Sequence, residues 1–300
     1  MTNGVNFSSV SISAKSALSE RAFSERIFSE RVLIVGSGRL ASFFQMYLND
    51  SLPTLPVNRW SRSSLYSFKE AERQFKPTHI WLCISDDAIE DFVFNNSDSL
   101  HGSTVVHFAG AKGCLDLTGH TIFPAHPLMS FPKMSFPKVS AGVAQNDELQ
   151  AGLMRQFRQV SFALSPRQPL LTRLLPGFEN PCFIIEDELR PLYHAYCALA
   201  ANFTVLLWEE IEARWRHTLK VDVGHLNTLR NQIFDLLATQ RDCSILTGPI
   251  ARGDAETLRR QQQALLENGD PALSMLLDTA TALYRSRNTA PNFSTLEVSP

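Results

Sequence analysis

No charge of either sign dominates this sequence: 28 basic and 30 acidic residues leave a formal net charge of −2 over 300 residues. That balance excludes the strong positive field that gathers nucleic acid or an anionic membrane, and the arginines form no basic stripe. Long apolar runs are missing as well. The longest, Ala195 to Trp208, is broken by Asn202 and Thr204 and flanked by His194 and Glu209. It falls short of the roughly 20 apolar residues that a bilayer needs and reads as a helix in a helical domain. The five cysteines (Cys83, Cys114, Cys182, Cys197 and Cys243) include no C-x-x-C pair. Their spacing gives neither a zinc site nor a disulfide ladder, and no metal site is expected. Four of them sit beside apolar residues, the setting of reduced, buried thiols in a cytoplasmic protein. Serine-rich residues 1–30 lack the apolar core of a signal peptide and are expected to form a flexible tail.

What is present is an apolar fraction of 44%, enough for a real core, in a chain long enough for two ordinary domains. Arg31 to Val35 is a short β-branched run that reads as a buried parallel strand, and Leu40 to Leu48 follows at helical spacing. Further strands are expected at Leu55–Trp60, His79–Ile84, Thr104–Phe108 and Thr121–Phe123, with a helix at Lys69–Phe75. Late strands are expected at Val160–Leu164 and Cys182–Glu186. Strands alternating with helices imply a doubly wound parallel α/β sheet. After Glu188 the texture changes to helices at Leu189–Trp215, Leu226–Thr239, Asp254–Glu267 and Pro271–Arg285. The expected organisation is a tail over 1–30, a dinucleotide-binding domain over 31–187 and an all-α domain over 188–300. Two short duplications, Phe-Ser-Glu-Arg at 23–26 and 28–31 and Met-Ser-Phe-Pro-Lys at 129–133 and 134–138, stand outside this pattern; the second reads as a lengthened loop.

Chemistry is concentrated after the first strand. Gly36-Ser37-Gly38-Arg39-Leu40-Ala41 has the G-x-G-x-x-A spacing of a Rossmann turn. Gly36 permits the tight turn, Gly38 lets backbone approach a pyrophosphate, and Ala41 keeps the helix close to the sheet. The helix N-terminus then offers unpaired N–H groups to phosphate. An NAD-specific domain places an acid at the end of the second strand. Here Asn58-Arg59-Trp60-Ser61-Arg62-Ser63 contains none. Arg62 with Ser61 and Ser63 suits the 2′-phosphate of NADP, so NADP is expected over NAD; the alternative is that Arg59 and Arg62 are merely solvated. Ser85, Asp86, Ala109 and Gly110 fall at the carboxyl ends of the third and fourth strands and are expected to line the nicotinamide side.

Three polar residues are candidates for catalysis. His126 follows a strand end and faces the same cleft. His194 and Asn202 lie eight apart on the long helix, on one face if the helix is regular, and either satisfy one another's neighbours or line a pocket. His107, inside an apolar strand, reads as a satisfied core residue. Asp254 reads as the cap of the next helix.

In order, Gly-Ser-Gly-Arg-Leu-Ala (36–41), Trp-Ser-Arg-Ser (60–63), Ile-Ser-Asp-Asp-Ala-Ile (84–89), His-Pro-Leu-Met-Ser-Phe (126–131), Tyr-His-Ala (193–195), Asn202 and Leu-Thr-Gly-Pro-Ile-Ala-Arg-Gly-Asp (246–254) resemble the Rossmann-like proteins that carry an uncharacterised C-terminal helical domain. That domain is similar to those of 6-phosphogluconate dehydrogenase and pyrroline-5-carboxylate reductase. The resemblance spans roughly 31–285. It implies a dinucleotide-binding domain, a helical domain often used for dimerisation and a cleft between them, and it names no substrate; the expected partners are a small-molecule substrate and a second copy of the chain, with no nucleic acid or membrane. Two departures stand out. The hydroxyacid dehydrogenase relatives carry a lysine four residues before the helix Asn, where this chain has Ala198, and a serine common in relatives is Ala109 here. An NADP-dependent oxidoreductase of small keto, imine or hydroxy compounds is the leading expectation. A non-catalytic NADP sensor or scaffold and a deazaflavin-dependent reductase remain beside it.

Overall fold

A computed structural model describes residues 30–131, 152–239 and 245–289. The serine-rich N-terminal stretch, most of the Met-Ser-Phe-Pro-Lys duplication and Cys243 lie outside the described residues. Two compact units are present, Met1–Leu207 and Trp208–Pro300.

The first unit is built on a six-stranded sheet of order β2-β1-β3-β4-β6-β5. Its strands are β1 (Val32–Val35), β2 (Val57–Trp60), β3 (His79–Leu82), β4 (Thr104–His107), β5 (Leu115–Leu117) and β6 (His120–Pro124). All neighbours are parallel except β5 against β6. The apolar run of β1 is buried on both sides, as a central parallel strand must be. Val32 and Ile34 enter one core with Trp81 and Val106, while Leu33 and Val35 enter a second core with Ile80, Leu82 and Val105. This alternation is the two-residue period of a strand, and it makes three layers.

Helix α1 (Arg39–Ser51) covers the first face with Ala41, Phe43, Phe44, Tyr47 and Leu48. Phe44 stands edge-on to Trp81, Phe108 and Phe178 at centroid distances of 5.4, 4.9 and 5.7 Å. Helices α2 (Phe68–Phe75) and α3 (Ile89–Asn96) cover the second face through Phe68, Ile89 and Val93. A capping box of Ser67 and Glu70 starts α2.

The chain leaves β1 outward to β2 and returns to β3 on the other side. The topological switch point therefore lies between the carboxyl ends of β1 and β3, where sheets of this kind bind ligands. The sequence indicated no strand at β5. It forms because Thr118 and Gly119, with φ of 49° and 79°, close a two-residue hairpin onto β6. A separate three-stranded sheet joins β7 (His126–Pro127), β8 (Phe162–Leu164) and β9 (Cys182–Ile184). Short helix α4 (Leu171–Leu174) ties this region to the large sheet, since Leu174 O accepts a hydrogen bond from Trp81 Nε1 at 3.2 Å.

No strand follows β9 among the described residues. Helix α5 (Arg190–Ala198), a π-helical segment (Leu199–Phe203) and α6 (Thr204–His217) run on without a break. The sequence texture changes near Asp187, but the division between compact units falls at Leu207/Trp208, because α5 is held to the first unit. In the second unit, α7 (Gly224–Thr239), α8 (Gly248–Arg252), α9 (Ala255–Glu267) and α10 (Pro271–Thr289) join α6. Arg214 of α6 donates from Nε to the buried Asp270 carboxylate at 2.8 Å. Asp254 caps α9 by accepting from Thr257 N at 3.1 Å, as its sequence position suggested.

The four described cysteines are free thiols. Burial is less uniform than their apolar neighbours implied: Cys83 is buried, Cys114 and Cys197 are half-buried, and Cys182 is exposed on β9. Apolar neighbours in sequence do not bury an edge-strand residue when nothing covers that side. No described helix is long and apolar enough to cross a membrane, and no metal-binding group of His, Cys, Asp and Glu occurs among the described residues.

Candidate functional site

The glycine turn sits at the switch point. Gly36 has φ +138°, and a Cβ placed there would lie 2.1 Å from Cys83 O, so only glycine lets β1 and β3 converge. Gly38 is the opposite case. It is exposed, has φ −74° and ψ −176°, and a Cβ there would meet nothing within 4 Å. Side chains do not plug the turn. Ser37 and Arg39 are exposed and Leu40 is half-buried against the first core. The first intrahelical bond of α1 is Ser42 N to Gly38 O at 3.0 Å, so the amides ahead of it have no helical partner. This open, amide-lined space suits a dinucleotide's diphosphate.

Arg59, for which the sequence offered only a solvated side chain, is instead part of the turn. Its Nε donates to Gly36 O at 2.9 Å, and Nη1 donates to Ser42 Oγ at 3.3 Å and Gln45 Oε1 at 3.2 Å. It ties the end of β2 to the glycine turn and the first turns of α1. Parallel register sets Arg59 beside Ile34, two residues before Gly36. Arg62 behaves differently. Ser64 N bonds Ser61 O at 2.9 Å, and Ser61 N bonds Ser64 Oγ at 3.1 Å, forming a turn over 61–64. Ser61 and Ser63 hydroxyls lie 2.9 Å apart in it. Arg62 stands exposed at its tip, with no hydrogen bond or ion pair among the described residues. No carboxylate occupies the end of β2.

A second cluster gathers at the ends of β3, β4 and β6. Ser85 is exposed and Asp86 half-buried at the start of a 3-10 turn (Asp86–Ala88) leading to α3. The Asp86 carboxyl is shifted upward by burial, opposed by the positive field of His194 and then of Lys112. His194 lies directly over Gly110: a Cβ there would be 2.4 Å from the imidazole. The rings of His126 and His194 are 5.5 Å apart, and His126 Nδ1 is 2.8 Å from Tyr193 Oη. Burial pushes the His126 pKa down to about 4, aided by the positive fields of His194, Arg190 and His107. Arg190 is fully buried and lies 3.6 Å from the Asp187 carboxylate, which also accepts from Ser165 Oγ at 2.8 Å.

Sequence expectations map onto this site unevenly. Asp86, Gly110, His126 and His194 come together. Ala109 is 3% exposed and packs into the second core, so its methyl does not line an open cleft. His107 is a satisfied core residue: Ala109 N donates to its Nδ1 at 3.3 Å, and its Nε2 lies 2.9 Å from Gly113 O. Asn202 stands apart from the cluster. The π-helical segment interrupts the regular register assumed for it, and it is exposed, roughly 12 Å along the helix from His194 at 1.5 Å per residue. Tyr193 had no role assigned from sequence, and the tie that Arg59 makes to the glycine turn was missed.

Comparison with known proteins agrees with this architecture. A family model described as "Domain of unknown function (DUF2520)" matches residues 163–286. No sequence of curated function matches the chain. A provisionally named NADP oxidoreductase, BF3122 from Bacteroides fragilis, superposes with a TM-score of 0.63 at 15% identity, over 87% of this chain and 100% of its own. Protein TM1727 from Thermotoga maritima gives 0.56 at 20% identity, over 85% and 97%. Pyrroline carboxylate reductase from Plasmodium falciparum, solved with NADP bound, gives 0.50 at 12% identity, over 87% and 98%. The fold is that of a Rossmann-like protein: a mostly parallel, doubly wound α/β sheet followed by a helical C-terminal region.

Proposed function

We propose that this chain is an NADP-dependent oxidoreductase acting on a small keto, imine or hydroxy compound. One observation carries the reading: a glycine turn open at Gly38 and constrained at Gly36, next to an exposed, unpartnered Arg62 where an NAD-binding domain would carry an acid. The names of the structural neighbours, an NADP oxidoreductase and an NADP-bound reductase, support it. When bound, the nicotinamide supplies or accepts the hydride.

The chain's own groups bind and orient. The amides from Ser37 to Leu40 would take the diphosphate, and Arg62 with Ser61 and Ser63 the 2′-phosphate. Ser85, Asp86 and Gly110 would border the nicotinamide, with Ala109 contributing backbone alone. His194, beside Asp86, is the candidate proton donor. His126, with its pKa near 4, is uncharged at neutral pH and would hold a substrate oxygen or nitrogen by a hydrogen bond. Asn202 keeps a role in this scheme only if the substrate reaches along the helix.

A domain division near residue 187 and a homodimer through the helices belong to the same proposal. Leu192, Tyr196, Leu199, Phe203 and Leu206 recur at spacings of four and three, and all are 38% to 61% exposed. Five large apolar side chains left exposed along this helical stretch suit a second copy of the chain. We place the chain in a cytoplasmic setting, which the free thiols of the four described cysteines suit, and invoke no nucleic-acid or membrane partner. The second reading, a non-catalytic NADP sensor, is favoured by one observation: Ala198 stands where dehydrogenase relatives carry lysine. Calorimetric titration with NADPH, NADH and a deazaflavin, followed by NADPH oxidation against a panel of keto acids and imines, separates these readings. Turnover with one panel member is expected. NADPH affinity with no turnover selects the sensor, and absence of any nucleotide binding ends both.

A further inference from the structure

We infer that Tyr193 is a positioning residue: its hydroxyl donates to His126 Nδ1 and so fixes the His126 proton on Nε2, the nitrogen left open toward a ligand. The geometry that assembles this pair starts at one residue of β8. Ala163 is the antiparallel partner of His126. Its carbonyl also accepts a hydrogen bond from Arg190 Nη2 at 3.2 Å, which docks the first residue of α5. Pro191, next in line, suits the first turn of a helix. Residues three and four beyond Arg190 share its face, and they are Tyr193 and His194. One anchored arginine therefore delivers a phenol to His126 and an imidazole to Gly110. Phe183 of β9 backs the Tyr193 ring at 6.0 Å, and the ring stands nearly perpendicular to His126, at 84°.

The direction of the hydrogen bond follows from proton inventory. The Tyr193 hydroxyl has one proton and two neighbours, His126 Nδ1 and the Cys197 thiol one turn along α5. A neutral imidazole nitrogen is a good acceptor, whereas thiol sulfur is a weak one. The hydroxyl proton therefore goes to His126. Burial pushes the Tyr193 pKa upward, so the hydroxyl keeps its proton at neutral pH. The groups facing His126 are Tyr193, His194 and Arg190 of α5 and His107 of β4, and the charges among them all disfavour a second proton on the ring. Nε2 has no hydrogen-bond partner among the described residues and is not among the polar atoms sealed from solvent. His126 thus presents a fixed N–H donor.

This inference rests on the proposed function for its meaning, but its test does not. The full-length protein is labelled with 15N-histidine, and the His126 ring is assigned by its loss in His126→Asn. Two-bond 1H–15N correlation at neutral pH then reads which nitrogen carries the proton. The expected result is a pyridine-like Nδ1 and a pyrrole-like Nε2 in the wild type. In Tyr193→Phe, which keeps the ring against Phe183, Nδ1 is expected to move to the position of a nitrogen without a hydrogen bond. Circular dichroism checks that the variant is folded. A pyrrole-like Nδ1 in the wild type, or an unchanged His126 spectrum in Tyr193→Phe, overturns the inference. If Tyr193→Phe does not fold, the wild-type spectrum alone decides, a pyridine-like Nδ1 upholding the assignment. The same spectra recorded with NADPH separate the two claims. A fixed Nε2–H tautomer without nucleotide binding leaves Tyr193 in its role and removes the oxidoreductase reading. Nucleotide binding with the opposite tautomer does the reverse.

Discussion

Gly38→Asp should strengthen the fold and weaken dinucleotide binding at once. Gly38 is the N-cap of α1, in extended backbone that any residue adopts, with no side-chain cap and no acid in the first turn. Its Cβ position is open. Aspartate there would accept from the first-turn amides and complement the helix dipole, together worth about 0.3–1 kcal/mol. The same carboxylate would stand where a diphosphate must approach. Two unit charges ~4 Å apart repel by about 1 kcal/mol at the dielectric of water and about 4 kcal/mol at an effective value of 20. Affinity should therefore fall between roughly fivefold and a thousandfold. Urea denaturation and calorimetric NADPH titration read the two effects on one preparation. Wild-type affinity in Gly38→Asp, or a loss of stability, would refute the reasoning. Gly36→Ala supplies the contrast: its Cβ would meet Cys83 O at 2.1 Å, so it should damage folding itself.

Arg62→Ala should weaken NADPH binding about tenfold or more, the worth of a charge-assisted hydrogen bond, and leave NADH binding within about twofold; equal loss of both removes the 2′-phosphate assignment. Phe44 is fully buried among Trp81, Phe108, Phe157 and Phe178, so Phe44→Ala should cost about 3–5 kcal/mol in chemical denaturation, and a cost under about 1 kcal/mol would contradict its central place. His107 and His126 both have folded pKa values near 4, below the usual 6.5, so the unfolded chain binds more protons between those values. Stability is full above pH 6.5 and should fall as pH drops toward 4, by about 3 kcal/mol for the fully buried His107, and urea midpoints that stay flat across that window would rule it out. Leu199→Asp on the exposed stripe should yield a monomer in sedimentation velocity; a dimer that survives it would move the interface elsewhere.

The sequence by itself determined the local grammar of this protein. The apolar run of β1, the G-x-G-x-x-A turn, the periodic helices after residue 188 and the Asp254 cap are written in spacings shorter than one turn or one strand. Such features need only the backbone's own geometry. The acid missing after β2 was equally legible, because its place is counted along the chain from the glycines. Tertiary structure decided whatever depended on register between distant segments. Arg59 closes on Gly36 O only once β1 and β2 are side by side. Ala109 is buried in the second core, with strands β1, β3 and β6 and helices α2 and α3 around it. His126, Tyr193 and His194 share a site because Arg190 docks on the strand that pairs with His126, a contact no local period encodes. The π-helical segment shifts Asn202 from the face that a regular helix would give it. A site assembled from several strand ends and one helix is a property of the packed sheet, so its members were visible in the sequence while most of their partnerships were not.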